Sequence, residues 1–230
     1  MFPRPSLQAG FSRVAEALGD PAREAIVGAL ADGKAMPAGE LASLAGLSPQ
    51  SASAHLQKLV DARVLSVLRQ GRFRYYRIAD DDVAALIEGL VNFAGKLDAR
   101  RGRRVLPCEE LRRARTCYCH LAGQAGVLLG DALVRRGHVV LSGRTGQITD
   151  SGLSWCRSEN IDFNPRRAPH CRLCNDWTER VPHLSGSFPN AILKRLSDTR
   201  CIAPRHIPRA LRLTPIGRAF FDRLGVSVPF

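Results

Sequence analysis

Cysteine is missing from the first 107 residues, and all seven cysteines lie beyond them. No apolar run approaches the roughly 18–20 residues that a membrane-spanning helix needs. The start, Met1-Phe2-Pro3-Arg4-Pro5, has no sustained apolar stretch of the kind an export signal carries. These absences predict a cytoplasmic protein that leaves the membrane alone. Its cysteines are then thiols or metal ligands rather than a disulfide framework. Catalytic signatures are thin as well. There is no glycine-rich phosphate loop, no Ser/His/Asp order and no suggestively spaced carboxylate pair, so the chain does not read as an enzyme. Lysine is scarce: 30 of the 34 cations are arginine. That bias fits a GC-rich genome as well as a nucleic-acid partner.

What is present is apolar content and positive charge. With 230 residues and 45% hydrophobic side chains, the chain has room for two domains with real cores. The net charge of +13 is uneven. Residues 1–100 hold 12 Lys+Arg against 11 Asp+Glu, whereas residues 101–230 hold 22 against 10. A basic surface favours nucleic acid or other anionic partners.

The first hundred residues read as helices and a small β element. Phe11, Val14, Ala15 and Leu18 have helical spacing. Asp20 then suits an N-cap, with Pro21 at the first helical position and a helix over 21–31. Pro37–Gly46 is a short helical segment, and Ser48 can cap a second helix from Pro49 to Val60. Two β-rich stretches follow, Val64–Arg69 and Phe73–Ile78, joined across Gln70-Gly71-Arg72. Asp80-Asp81-Asp82 opens a further helix over 83–97, where acids complement the helix dipole. Its wide apolar stripe, with that of the first helix, predicts a dimer interface; the alternative is packing on a second domain.

Helix, turn, helix and a basic hairpin in this order suit a helix lying in the DNA major groove. The side chains placed to reach bases or phosphates are Gln50, Ser51, Ser53, His55 and Lys58, with Arg69, Arg72 and Arg74 on the hairpin. His55 serves equally as a cap or packing residue. Three stretches, Leu18-Gly-Asp-Pro-Ala-Arg-Glu-Ala-Ile26, Leu47-Ser-Pro-Gln-Ser-Ala-Ser-Ala-His-Leu-Gln-Lys-Leu59 and Arg69-Gln-Gly-Arg-Phe-Arg-Tyr-Tyr-Arg77, resemble the winged-helix domain of ArsR/SmtB-family regulators. The resemblance spans residues from about 11 to 95. It implies a homodimer on a palindromic, double-stranded operator, and repression relieved by an inducing signal. The family's usual sensor ligands are missing here. Glu40-Leu-Ala-Ser-Leu-Ala-Gly46 lacks cysteine, and 83–97 lacks histidine.

Sensing is therefore expected in the second half. A basic linker over 100–107 separates the DNA-binding and dimerisation domain, 1–99, from a C-terminal domain, 108–230. The latter holds matched blocks that point to an internal repeat, about 117–160 and 180–225. His120-Leu-Ala-Gly123 recurs as His183-Leu-Ser-Gly186 at an offset of 63. Ile148-Thr-Asp-Ser-Gly152 recurs as Leu213-Thr-Pro-Ile-Gly217 at an offset of 65. Each copy reads as helix, small β element, helix. The fold class is thus mainly α with small β wings.

The cysteines cluster as Cys117-Tyr-Cys119-His120 and His170-Cys171-Arg-Leu-Cys174, with His183 downstream. Cys117, Cys119, His120, Cys171, Cys174 and His183 form the candidate ligand set. Thiolates with imidazoles suit zinc or another soft metal ion. The alternatives are a redox thiol switch, buried structural cysteines, a small-molecule pocket with incidental cysteines, an architectural DNA binder, and, remotely, a thiol enzyme fused to a DNA-binding domain.

Overall fold

The computed structural model describes residues 5–100, 108–165 and 168–229. The chain divides into two compact units at Ala84/Ala85. The expected linker lies almost wholly outside the described residues.

The first unit contains α1 (Pro5–Leu18), α2 (Pro21–Ala29), β1 (Met36–Pro37), α3 (Ala38–Leu44), α4 (Pro49–Asp61), β2 (Leu65–Gln70) and β3 (Phe73–Ile78), and it includes the start of α5 (Asp81–Arg100). Ser48 Oγ accepts from the Ser51 N–H at 3.2 Å, and Asp20 Oδ1 accepts from the Arg23 N–H at 3.0 Å, so both expected N-caps form. Arg23 is buried because it closes the end of α1. Its guanidinium donates to the carbonyls of Ala17 (2.6 Å) and Glu16 (2.8 Å), which have no partner inside the helix. Ile26, Leu30, Leu41, Leu56 and Leu59 are fully buried between the helices. Gly71 takes a positive φ of 58°, which the two-residue hairpin between β2 and β3 needs. β1 adds a third strand, in the order β1-β3-β2, which the sequence did not suggest because two residues show no period.

The second unit, beyond the α5 start, contains α6 (Glu109–Arg113), β4 (Arg115–Cys117), β5 (His120–Ala122), α7 (Gly123–Arg135), β6 (Val139–Ser142), β7 (Thr145–Ile148), α8 (Asp150–Ser158), β8 (Cys171–Asn175), β9 (Pro182–Ser185), α9 (Ser187–Asp198), β10 (Ile202–Pro204), β11 (Leu211–Leu213) and α10 (Pro215–Arg223). Hairpin, helix, hairpin, helix occurs twice in succession. The Thr-x-x-Gly blocks do the same work in each half. Thr149 accepts from the Gly152 N–H (3.1 Å) and Thr214 from the Gly217 N–H (3.2 Å), capping α8 and α10. A Cβ on Gly152 would sit 2.3 Å from the His138 carbonyl oxygen, and one on Gly217 would sit 2.0 Å from that of Cys201, so only glycine fits.

Strands of the two halves also pair with one another. β7 of the first half pairs with β8 of the second at Thr145↔Arg172 and Gly146↔Cys171. In return, the Leu211 N–H donates to Ala114 O and the Thr116 N–H to Arg209 O, each at 2.9 Å. α7 packs on β9 and α9 on β5. One core runs through both halves, with Leu129, Leu133, Phe188, Ile192, Leu196, Phe220 and Phe221 buried in it.

Candidate functional site

Strand register builds the first site. In β4–β5, Cys117 lies directly opposite His120; in β8–β9, Cys174 lies directly opposite His183. Each half thus presents one thiol and one imidazole on one face of a hairpin, and all four residues are buried. The Sγ atoms of Cys117 and Cys174 are 3.9 Å apart, and the Nε2 atoms of His120 and His183 are 3.0 Å apart. The four donor atoms lie within 4.8 Å of one another. A tetrahedral ion bound at about 2.3 Å to sulfur and about 2.0–2.1 Å to nitrogen separates its thiolates by about 3.8 Å and its nitrogens by about 3.3 Å. The sulfur–sulfur and nitrogen–nitrogen spacings already stand close to those values.

A buried ionic shell surrounds them. Asp176 Oδ2 lies 3.0 Å from His183 Nδ1 and accepts from the Gly123 N–H at 2.8 Å. Asp176 Oδ1 lies 3.0 Å from the Arg115 guanidinium and accepts from the Thr178 N–H (2.9 Å), the Thr178 hydroxyl (2.7 Å) and the Glu179 N–H (3.1 Å). Arg115 also donates to Thr178 Oγ1 (2.9 Å) and stacks over Trp177, 4.9 Å from the ring centre. Burial works against the Asp176 carboxylate, yet His183, Arg115 and Thr178 together hold its pKa below the usual range. Burial also opposes the charged form of His183, but its bonds to Asp176 and Cys174 raise its pKa. Burial lowers His120, and the neighbouring His183 adds to that. Of the two thiols, Cys174 loses its proton first, since the hydrogen bond from Cys117 stabilises its thiolate against the effect of burial. That bond, burial and Glu88 push Cys117 up.

Two members of the expected ligand set fall outside the group. Cys171 and Cys174 lie on an extended strand, where successive side chains alternate faces, so an odd spacing sends them to opposite sides. Cys171 joins the apolar core, where burial pushes its thiol up to about 11. A Cys-x-x-Cys knuckle brings its thiols together only when the backbone turns between them. Cys119 sits in the β4–β5 turn beside Tyr118, whose φ is +56°, and is half-buried outside the four-donor group.

One part-buried ion pair ties this hairpin to α5. Glu88 accepts from Arg209 at 2.6 Å, and Arg209 Nε donates to Thr116 O at 3.1 Å, next to Cys117. Neither residue carried a sequence signal, since a single acid on a helix and a single arginine in a loop are ordinary surface residues.

The second candidate site is on the first unit. Ala52, Leu56 and Leu59 bury one face of α4, while Gln50, Ser51, Ser53 and Lys58 are exposed. His55 is half-buried, with Nδ1 3.3 Å from Arg23 and 3.6 Å from Asp20, so it leans on the α1–α2 corner. On the hairpin, Arg69, Arg72 and Arg74 are exposed, and Arg69 lies directly opposite Arg74. Like charges facing one another across strands are unfavourable unless an anion lies between them.

Among the described residues, no helix is long and apolar enough to cross a membrane. A family model described as a helix-turn-helix domain matches residues 18–67. The HTH-type transcriptional regulator YdfF of Bacillus subtilis is 38% identical over 216 residues, covering 92% of this chain and 95% of the relative. The transcriptional repressor SdpR of the same organism is 36% identical over 87 residues, 38% of this chain and 96% of its own. Among solved structures, the homodimeric winged helix-turn-helix DNA-binding domain of Mb0332 from Mycobacterium bovis is 31% identical, covers 42% of this chain and 87% of its own, and has a TM-score of 0.38. With a relative matched along nearly its whole length and a winged helix-turn-helix at its start, this chain belongs to the HTH-type, DNA-binding transcriptional regulators.

Proposed function

We propose that the protein is a dimeric repressor whose operator affinity is set by a soft metal ion or thiol-reactive signal received in its second unit. The observation that carries the DNA reading is the polar row Gln50, Ser51, Ser53 and Lys58 on α4, opposite its buried face, beside the facing pair Arg69 and Arg74. α4 enters the major groove, Gln50 and the serines read base edges or phosphate, and the wing arginines grip the backbone, Arg72 from its tip. Residues 1–99, which take in the first unit and run on along α5, form the reading and dimerising domain, and 108–230 the sensing domain with its internal repeat.

Dimerisation uses α5. Its exposed Leu86, Leu90, Phe93 and Leu97 follow steps of four, three and four, the seam spacing of a coiled coil. The signal enters at Cys117, His120, Cys174 and His183, which together suit zinc or a similar ion. Thr116, Arg209 and Glu88 carry it to α5, and the twofold arrangement of the two α4 helices follows. The buried positions of Cys156, Cys171 and Cys201 favour a structural role for those three.

A mobility shift on double-stranded DNA from upstream of the protein's own coding sequence tests this, with reduced protein, in chelator and with zinc restored. Selective binding that weakens steeply with salt and changes with zinc is expected. Absence of selective binding at moderate salt defeats the DNA reading; selective binding indifferent to zinc, chelator and thiol reagents defeats the sensing reading.

A further inference from the structure

We infer that Cys117, His120, Cys174 and His183 form a closed two-thiolate, two-imidazole centre for a divalent ion of the zinc class, and that this ion clasps the two halves of the second unit together. The inference rests on the metal reading proposed above and names both the class of ion and what the ion does.

Charge selects the class. Two thiolates with a divalent ion are neutral, and Asp176 beside them is balanced by Arg115, both with side chains fully buried. A monovalent ion would leave a net negative charge in this interior, which burial penalises. Arsenite needs a third thiolate, and neither Cys119 nor Cys171 belongs to the donor group. The four buried donors fill a tetrahedron, leaving no position for water or a substrate, which is the character of a structural rather than a catalytic zinc site.

The clasp follows from where the ligands come from. Cys117 and His120 belong to the first half, and Cys174 and His183 to the second. The surrounding shell crosses in the same way. Asp176, in the second half, is held by the Gly123 N–H and by Arg115, both from the first. Asp176 is also the positioning residue for His183. By engaging Nδ1 it leaves Nε2 as the donor, facing His120 Nε2. The residue comes from a hairpin loop that is longer in the second half. Cys174↔His183 brackets eight residues, whereas Cys117↔His120 brackets two.

The test uses the full chain, reduced, stripped with chelator and titrated with Zn(II), with Co(II) as the spectroscopic probe. Expected are one ion per chain, the intense visible bands of tetrahedral Co(II), and thiolate-to-cobalt charge transfer for two sulfurs. Zinc should increase hydrogen-exchange protection in β4, β5, β8 and β9. Asp176→Asn should lower zinc affinity about 10–100-fold while keeping the tetrahedral spectrum. Cys171→Ser and Cys119→Ser should keep one ion and the parent spectrum. His183→Cys should move the spectrum to three thiolates, which keeps the test decisive if Asp176→Asn does not fold. Octahedral or weak cobalt bands, parent affinity in a folded Asp176→Asn, a Cys171→Ser spectrum that loses a thiolate, or exchange unchanged by zinc would each overturn the inference. None of these readouts involves DNA, so a failed operator response leaves the clasp standing, and a failed clasp leaves the operator reading standing.

Discussion

Replacing Arg115 by methionine probes the buried shell. The substitution keeps most of the side-chain length and removes the charge. Arg115 and Asp176 both have fully buried side chains, so the variant leaves a carboxylate in the interior without its permanently charged partner. Breaking one partner of such a pair costs about 3–5 kcal/mol. Asp176 retains His183 at 3.0 Å, the Gly123, Thr178 and Glu179 N–H donors and the Thr178 hydroxyl, which places the expected loss near the lower end, about 3 kcal/mol. Urea unfolding in chelator measures it, with tryptophan fluorescence as the probe. Both tryptophans, Trp155 and Trp177, lie in the second unit, so the signal reports that unit alone. With a slope of about 2 kcal/mol per molar, the midpoint should fall by about 1.5 M. The paired variant Arg115→Met/Asp176→Asn removes both charges, so it should cost less than the two single changes added together, by about 1–3 kcal/mol. A single variant within about 0.5 kcal/mol of the parent, the range of ordinary surface substitutions, or strict additivity of the pair, refutes this account of the shell.

Four further outcomes are expected. Gln50→Ala should weaken operator binding by about 1–3 kcal/mol and leave binding to unrelated DNA unchanged, whereas Arg72→Ala should weaken both and reduce the salt slope by about 1, all measured by titration at several salt concentrations. Phe93→Glu on α5 should convert the proposed dimer to monomer in sedimentation velocity; a dimer that persists would move the interface elsewhere. Glu88→Gln should keep zinc affinity but lose the zinc-dependent change in operator affinity, because it weakens the tie through Arg209 to Thr116. The thiols of Cys156 and Cys171, which are buried and pushed up to about 11 by that burial, should resist alkylation near neutral pH in the folded protein and react once it is unfolded, while exposed Cys108 reacts readily; mass spectrometry of partial digests separates them.

The winged helix-turn-helix was legible because its determinants are local. Asp20, Ser48 and Gly71 act within a few residues of themselves, through caps and a turn, and apolar spacing marks the buried side of each helix. Helix ends differ by a few residues from expectation, since an end depends on where partner carbonyls find donors, as Arg23 does for α1. His55 was ambiguous because its partners, Asp20 and Arg23, lie on another helix. The repeated Thr-x-x-Gly and His-Leu-x-Gly blocks were equally readable, since each records a cap or a close backbone approach that excludes a side chain.

The buried thiol–imidazole cluster was half legible. Residue types pointed to thiolate and imidazole chemistry, but spacing alone suggested that Cys171 and Cys174 share an ion. The extended strand places them on opposite faces. Asp176 and Arg115 gave no signal at all, because a lone acid and a lone arginine become a buried pair only when two hairpins meet.

Sequence alone therefore determined α4 with its exposed polar face, the basic wing and the thiol and imidazole chemistry, all of which follow from short-range backbone rules and side-chain chemistry. Tertiary structure decided which donors meet, which acid orients them and which ion pair reaches α5. Those depend on strand register and on contacts between segments dozens of residues apart, where the period of a single segment carries no information.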